Sequence, residues 1–228
     1  MNRPVRDDGF TMLRKDYIMR LIEQLGVAME RILALKHDNQ AYEALKEIEQ
    51  ACEKYLGLDP RVISAASGEA LLTLMSMGGK FDPRRAVLLA ELLKEEGELY
   101  EMAKMAERGY WGYTRSLWLF LESMNRDPSL RTADNIRDTQ FVLSRLTRYE
   151  PSPELKSRLF TYHEWNGEFD KAENMLFDLL DRDRPAWIGK GKEFYQRLSA
   201  LPDDELSRGG LPREEVNQGM KELDRKTR

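Results

Sequence analysis

Three stretches of this chain repeat one plan, and the repetition constrains the fold more than any other feature. They run from Ala41-Tyr42-Glu43-Ala44-Leu45 to Asp59-Pro60, from Gly109-Tyr110 through Trp118-Leu119-Phe120-Leu121 to Asp127-Pro128, and from Gly167-Glu168-Phe169-Asp170-Lys171-Ala172 to Arg184-Pro185. Each is a turn, an aromatic residue, an amphipathic helix and a stop at proline, which reads as the second half of a helical hairpin. One hairpin cannot bury its apolar face alone, so neighbours must stack. The pattern specifies an all-α protein of stacked antiparallel hairpins. It carries no chemistry of its own.

The rest of the chain agrees. From about Arg14 to Lys36, Ile18, Leu21, Leu25, Ala28, Ile32 and Leu35 recur at alternating spacings of three and four, a heptad seam. Ile22, Met29 and Leu33 widen it into a stripe broad enough to meet more than one neighbour. His37-Asp38-Asn39 breaks the run, and a second helix over about 40–56 carries Leu45, Ile48, Cys52 and Tyr55 on one face. Asp59-Pro60, Asp82-Pro83, Asp127-Pro128 and Ser152-Pro153 each place a capping side chain before a proline at the first helical position. These marks predict helices over about 61–76, 83–107, 110–124 and 128–148, then 154–165, 168–181, 186–200 and 212–225. The expectation is about ten helices in a right-handed stack and no strand, since no run alternates β-branched residues. Residues 1–11 read as a flexible extension. Residues 12–150 read as the hairpin array, and 151–228, after the joint Glu150-Pro151-Ser152-Pro153, as C-terminal hairpins packed on it. Gly78-Gly79 and Gly209-Gly210 both precede a proline-started helix, which tight helix-to-helix turns favour.

Composition narrows the function classes. The 228 residues carry a net charge of −4, and basic residues form no stripe, which argues against nucleic-acid binding. No apolar run approaches the ~18 residues of a membrane span, and the charged start, Met1 to Gly9, lacks the apolar core of a signal peptide. A cytoplasmic protein is expected. The lone cysteine, Cys52, allows no internal disulfide and reads as a core residue.

Catalytic and cofactor signals are weak throughout. His37 and His163 are far apart and His163-Glu164 lacks the second histidine of a zinc-protease motif, so no metal and no cofactor are expected. His163 reads as a half-buried hairpin residue and His37 as a helix C-terminal residue suited to the dipole. There is no GxSxG, and a thiol on an apolar stripe stays protonated. Gly78-Gly79-Lys80 and Gly189-Lys190-Gly191-Lys192 lack the spacing of a phosphate loop, and the latter reads as a solvated loop, with an anion site at a helix start as the lesser alternative. Glu95-Glu96, Asp203-Asp204 and Glu214-Glu215 point in diverging directions on their helices. The methionines Met75, Met77, Met102 and Met105 read as core, with a flexible binding surface as the lesser alternative. The aromatic run Tyr110, Trp111, Tyr113, Trp118, Phe120 offers one face to the core and a second, with Trp111 and Trp118, that suits either core or a partner.

Leu155 to Pro185 resembles a tetratricopeptide repeat. Gly167 stands at the turn, Phe169 starts the second helix, Ala172 is the small residue at the helix crossing, and Leu176, Leu179 and Leu159 are core positions. Phe160 replaces a typical glycine, Lys156 a typical aromatic and His163 a typical tyrosine. From about Leu13 onward the chain also resembles a family of uncharacterised bacterial proteins of unknown function. Arg14-Lys15-Asp16-Tyr17-Ile18-Met19-Arg20, Leu92-Leu93-Lys94-Glu95-Glu96-Gly97-Glu98-Leu99-Tyr100 and Gly209-Gly210-Leu211-Pro212-Arg213-Glu214-Glu215-Val216 carry this likeness. The repeat resemblance implies a concave groove faced by Glu154, Ser157, Thr161, Glu164 and Trp165, where a basic peptide would lie with Trp165 as anchor. Trp111 is the further partner-binding candidate. The expected function is a non-enzymatic adaptor or regulatory scaffold that binds a protein or peptide. The alternatives are a homodimer or larger self-assembly paired through the N-terminal seam, and a small-molecule sensor or enzyme with a pocket between helices.

Overall fold

The computed structural model describes residues 8–77 and 79–226 of the chain, and they are almost entirely helical. The helices are α1 (Asp8–His37), α2 (Ala41–Leu56), α3 (Pro60–Ala65), α4 (Gly68–Leu74), α5 (Pro83–Met102), α6 (Ala106–Arg126), α7 (Ala133–Leu146), α8 (Pro153–Trp165), α9 (Phe169–Arg182), α10 (Arg184–Ser199), α11 (Asp203–Arg208) and α12 (Arg213–Lys226). Two two-residue strands, β1 (Ser76–Met77) and β2 (Lys80–Phe81), pair antiparallel, and a 3-10 turn spans Pro128–Leu130. The chain divides into two compact units, residues 1–149 and 150–228.

Capping decides most boundaries. Asp59 accepts a hydrogen bond from the Arg61 amide at 2.8 Å, Asp82 from Arg85 at 3.3 Å and Ser152 from Leu155 at 3.3 Å, each just ahead of a proline. Asp127 caps in the same way, but it starts only the 3-10 turn. Thr132 then caps α7 from the amide of Asn135, so the helix expected from 128 begins at Ala133. The expected helix over 61–76 is two helices. Ser67 caps a new start, and Gly68 lies so close under the Trp118 indole that an added Cβ would stand 2.2 Å from the ring. The strand pair β1–β2 departs from the expectation of no strand. Two ladder positions are too few to leave an alternating pattern. The helix expected to reach 107 stops at Met102, where Lys104 takes a left-handed backbone with φ of 60°. Residues 8–11, expected to be irregular, are the first turn of α1, since extending an existing helix costs little. Residues 1–7 of that stretch lie outside the described residues. Gly189-Lys190-Gly191-Lys192 is not a loop but the middle of α10, because Gly191 must let α10 approach Leu176 and Leu223.

In unit 1, α1 packs on α2, and α5 on α6, each pair joined by a three-residue turn. The α5–α6 crossing is the tightest. Gly97 and Gly112 face each other, Ser116 donates to the Ala90 carbonyl at 2.7 Å, and Tyr113 donates to Glu101 at 2.8 Å. Positions 90 and 101 of α5 thus meet 116 and 113 of α6, and the helices run antiparallel. Arg85 is buried and donates to the Leu56 carbonyl at the end of α2, tying α2 to α5. The heptad seam serves this interior. Ile18, Leu21, Leu25, Ala28 and Ile32 are all buried and Leu35 is half-buried, so these seam residues face the interior of the unit.

Unit 2 has its own core of Phe160, Phe169, Leu176, Leu179, Trp187, Phe194, Tyr195, Leu206 and their neighbours. Phe160 meets Trp187 and Phe194 edge-on, at ring separations of 5.7 and 5.4 Å, which joins α8 to α10. Where the repeat resemblance implies a glycine, the large Phe160 fills this space between helices.

Candidate functional site

The site begins with the outer face of α1. Ile22, Gly26, Met29 and Leu33 succeed one another at spacings of four, three and four, so they share a face, and it is not the buried one. Ile22 is 43% exposed and Leu33 45%. Together with Val87, Leu88, Glu91 and Leu92 of α5, and Ser129, Leu130 and Asn135 across from them, they line a groove of about 610 Å³. Arg84 and Glu30 complete its rim. That volume lies within the ~300–1,000 Å³ range of ligand pockets.

Ion pairs set the walls in register. Lys36, near the end of α1, reaches Glu95 at 2.6 Å and Glu98 at 2.9 Å in the second half of α5. Lys94 reaches Asp138 of α7 at 3.1 Å, and Arg145 of α7 approaches Glu101 at 3.8 Å. Later positions meet later positions, so α1, α5 and α7 run in the same direction, with α5 as floor. The far wall is held by the Asn135 amide, which donates to the Leu130 carbonyl at 2.8 Å, and by Arg131, which donates to the Met124 carbonyl at 3.1 Å.

Glu91 is the unusual polar group in this groove. Burial, then repulsion by Asp138, outweighs attraction to Lys94 and pushes its carboxyl up to about 7. Lys94 and Lys36 stay charged. Burial works against their charge, but the carboxylates around them outweigh it and raise both. A second carboxyl, Glu96, is also raised to about 7, chiefly by burial, on a side of α5 influenced by Arg115, Glu49 and Arg108. Burial pushes the neighbouring Cys52 thiol up to about 12, so it is inert at neutral pH.

The six residues singled out from sequence have varied surroundings. Glu154 and Thr161 are exposed, and Ser157 and Trp165 are half-buried. Trp165 packs edge-on against Tyr162 at 5.0 Å. Glu164 is held by a two-pronged ion pair from Arg197 of α10, at 2.6 and 2.9 Å. Trp111 is 46% exposed, with Tyr110 edge-on at 5.0 Å and the Arg115 guanidinium 5.7 Å from its ring centre. Trp118, seven residues on, is buried against Gly68, so the two tryptophans do not form one surface. Of the methionines expected in the core, Met75 is buried, while Met102 and Met105 are exposed beside the α5–α6 turn. Met77's side chain lies outside the described residues.

His163 is more buried than expected. Burial lowers its pKa, so the neutral ring donates from Nδ1 to Glu168 at 2.7 Å. Burial alone would raise Glu168. Hydrogen bonds from Lys171, His163 and Asn166 overcome it and hold the carboxyl down to about 2. This cluster fastens the α8–α9 turn, where Gly167 has φ of 75°. Among the described residues no group of three or more His, Cys, Asp or Glu could hold a metal ion, and no helix is long and apolar enough to cross a membrane.

Fold and site thus define an almost entirely helical protein with an apolar groove bounded by α1, α5, the 3-10 turn and the start of α7. The chain belongs to a family of unknown function (DUF6483), whose model matches residues 12–228. No curated protein matches the chain, and no solved structure does.

Proposed function

We propose that this protein is a non-enzymatic interaction module of the cytoplasm that holds a segment of a partner protein in the groove between α1, α5 and α7. The observation that carries this reading is the outward stripe of α1, where Ile22 and Leu33 are exposed and Met29 is half-buried between them along the wall of a formed cleft. The resemblance to a tetratricopeptide array supports it. In such an array the first helices of successive hairpins run in parallel and line one concave face, with the second helices behind. Here α1, α5 and α7 run in parallel, with α2 behind α1 and α6 behind α5. The groove runs along α5, which suits a helical segment presenting a row of apolar anchors.

A second reading keeps the α8 face of unit 2, where Glu154, Ser157, Thr161, Glu164 and Trp165 offer an extended peptide a shorter platform. The half-exposed Trp165 favours it. Glu164, already bonded to Arg197, has less to give a basic ligand than its place in the sequence implies.

Site-specific photo-crosslinking in the source cells separates these readings. Benzoylphenylalanine is placed singly at Ile22, Leu33, Leu130 and Trp165, with Gln24 on the back of α1 as control. The first reading expects one partner segment to be captured from positions 22, 33 and 130 and missed from 24 and 165. Capture from 165 alone would transfer the role to α8, and equal capture from every position would remove both.

A further inference from the structure

Resting on the groove as the docking site, we propose that its occupant is an amphipathic helix of a partner protein, carrying one basic side chain that seats between Glu91 and Glu30 and one acidic side chain, two turns away, that meets Arg84.

Charge complementarity inside an apolar cleft points to this occupant. Four carboxylates gather on this side of α5 and α7, Glu91, Glu95, Glu98 and Asp138, and two lysines serve them. Lys36 is committed to Glu95 and Glu98, and Lys94 to Asp138 at 3.1 Å and Glu95 at 3.3 Å. No hydrogen bond or ion pair reaches Glu91 from the described residues. The charged groups that act on it are Lys94, which attracts, and Asp138, Asp134 and Glu95, which repel. Glu30 lines the facing wall on α1. A carboxylate left without a cation in a half-buried apolar setting is costly to ionise. A guanidinium or ammonium arriving with the partner supplies the missing charge.

Arg84 fixes the other end. It lies on the groove rim seven residues before Glu91 on α5, about 10 Å along the axis at 1.5 Å per residue. A helix lying along α5 therefore places its basic and acidic residues seven apart, with apolar anchors at the intervening three- and four-residue steps. Gly26 leaves the α1 wall open where a Cβ would stand, with nothing within 4 Å. The most bulky anchor fits there.

Binding requires Glu91 in its ionised form. A group that titrates near 7 is mostly protonated at pH 6 and mostly charged at pH 8, so affinity should rise up to about tenfold between them. The chain's two histidines are not in the groove lining and do not obscure this.

The test uses a library of 16-residue helical peptides with randomised faces, selected against the full chain as wild type, Glu91→Gln, Arg84→Glu and the double variant Ile22→Glu, Leu33→Glu. All four substituted positions are at least partly exposed, and thermal melting checks that each variant folds. The proposal expects wild type to enrich Lys or Arg with Asp or Glu seven residues away. It expects Glu91→Gln to bind those peptides at least tenfold more weakly, without pH dependence, while keeping the apolar anchors. Arg84→Glu should exchange the acidic preference for a basic one. If wild type and Glu91→Gln enrich the same sequences equally, the cation is refuted while the groove stands. If the double variant also enriches them, the groove reading itself fails. Concentration-dependent dimers of the wild type that Leu33→Glu abolishes, with no peptide enriched, would make a second copy the occupant and overturn the proposal.

Discussion

The groove floor, α5, is held by its glycine crossing with α6, and adding one methyl group at that crossing tests the packing directly. In Gly112→Ala the new Cβ would stand 3.0 Å from both the amide nitrogen and the Cα of Gly97, and 3.3 Å from the Leu93 carbonyl oxygen. Ordinary carbon contacts lie near 3.5–4.0 Å, and the neighbours here are backbone, which cannot rotate away. The helices must separate by several tenths of an ångström over buried contacts that include Tyr113, Leu117 and Leu93. Forcing a methyl into a packed core costs about 1–3 kcal/mol. Alanine returns about 1 kcal/mol of helix propensity, so the net change is a destabilisation of up to about 2 kcal/mol. Gly26→Ala is the internal control. It lies in α1 of the same unit with nothing within 4 Å of the new Cβ, so only the propensity gain remains, about 0.5–1 kcal/mol of stabilisation. Urea unfolding of both variants beside wild type should separate them by about 0.5–3 kcal/mol, with opposite signs. Equal stabilisation of the two would refute the close crossing and with it the position of α5. Gly97→Ala, which would drive a Cβ to 2.6 Å from the buried Tyr113 ring, should destabilise in the same sense.

The titrating groups and the surface pairs give further outcomes. Glu91 carries a folded pKa raised from 4.5 to about 7, so the native state holds its proton more tightly than the unfolded chain. The stability this proton gives is complete below about pH 4.5 and is lost as pH rises through 7. Glu91→Gln should therefore be more stable than wild type at pH 8.5, by at most about 3 kcal/mol at about 1.4 kcal/mol per pH unit. The gap should close as pH falls below about 4.5, as read by thermal melts at pH 8.5 and about pH 4. Glu96→Gln should behave alike. Cys52, buried with its thiol raised to about 12, should resist iodoacetamide at pH 8 until urea unfolds unit 1, and fast labelling of the native protein would contradict its burial. Arg197→Ala removes a partly exposed ion pair and should cost less than about 1 kcal/mol in a urea melt. Trp165→Ala should leave the affinity of a groove-selected peptide unchanged, and a loss would move binding to α8.

The sequence carries the fold because its punctuation is chemical. An Asp or Ser before proline caps a helix wherever it stands, and four such pairs place four starts. What it hides depends on contacts between distant residues. Gly68 breaks the third expected helix because the Trp118 indole, fifty residues on, needs the space. Gly191 can sit inside α10 because Leu223 and Leu176 lean against it. The groove is half legible. Ile22, Met29 and Leu33 are readable as a second stripe on α1, and a glycine inside that stripe is the available hint. Their degree of burial is not readable, since it depends on which distant elements pack against α1. Glu91 looks like any solvated helix carboxylate, because its setting is made by Asp138 and Asp134 on another helix. The α8 stripe rests on analogy with the repeat, and Arg197, which engages Glu164, comes from a helix outside that motif.

The central claim, that the groove between α1, α5 and α7 is where a partner helix docks, is tested most directly by methyl NMR. The chain, labelled at Ile, Leu and Val methyls, is titrated with the tightest peptide from the selection. Docking there predicts shifts at Ile22, Leu25, Leu33, Val87, Leu88, Leu92 and Leu130, the Ile, Leu and Val residues that line the groove, with Leu71 of unit 1 and Leu176, Leu179 and Leu206 of unit 2 unmoved. Shifts that cluster in unit 2, or that spare Ile22, Leu33 and Leu130, would contradict it.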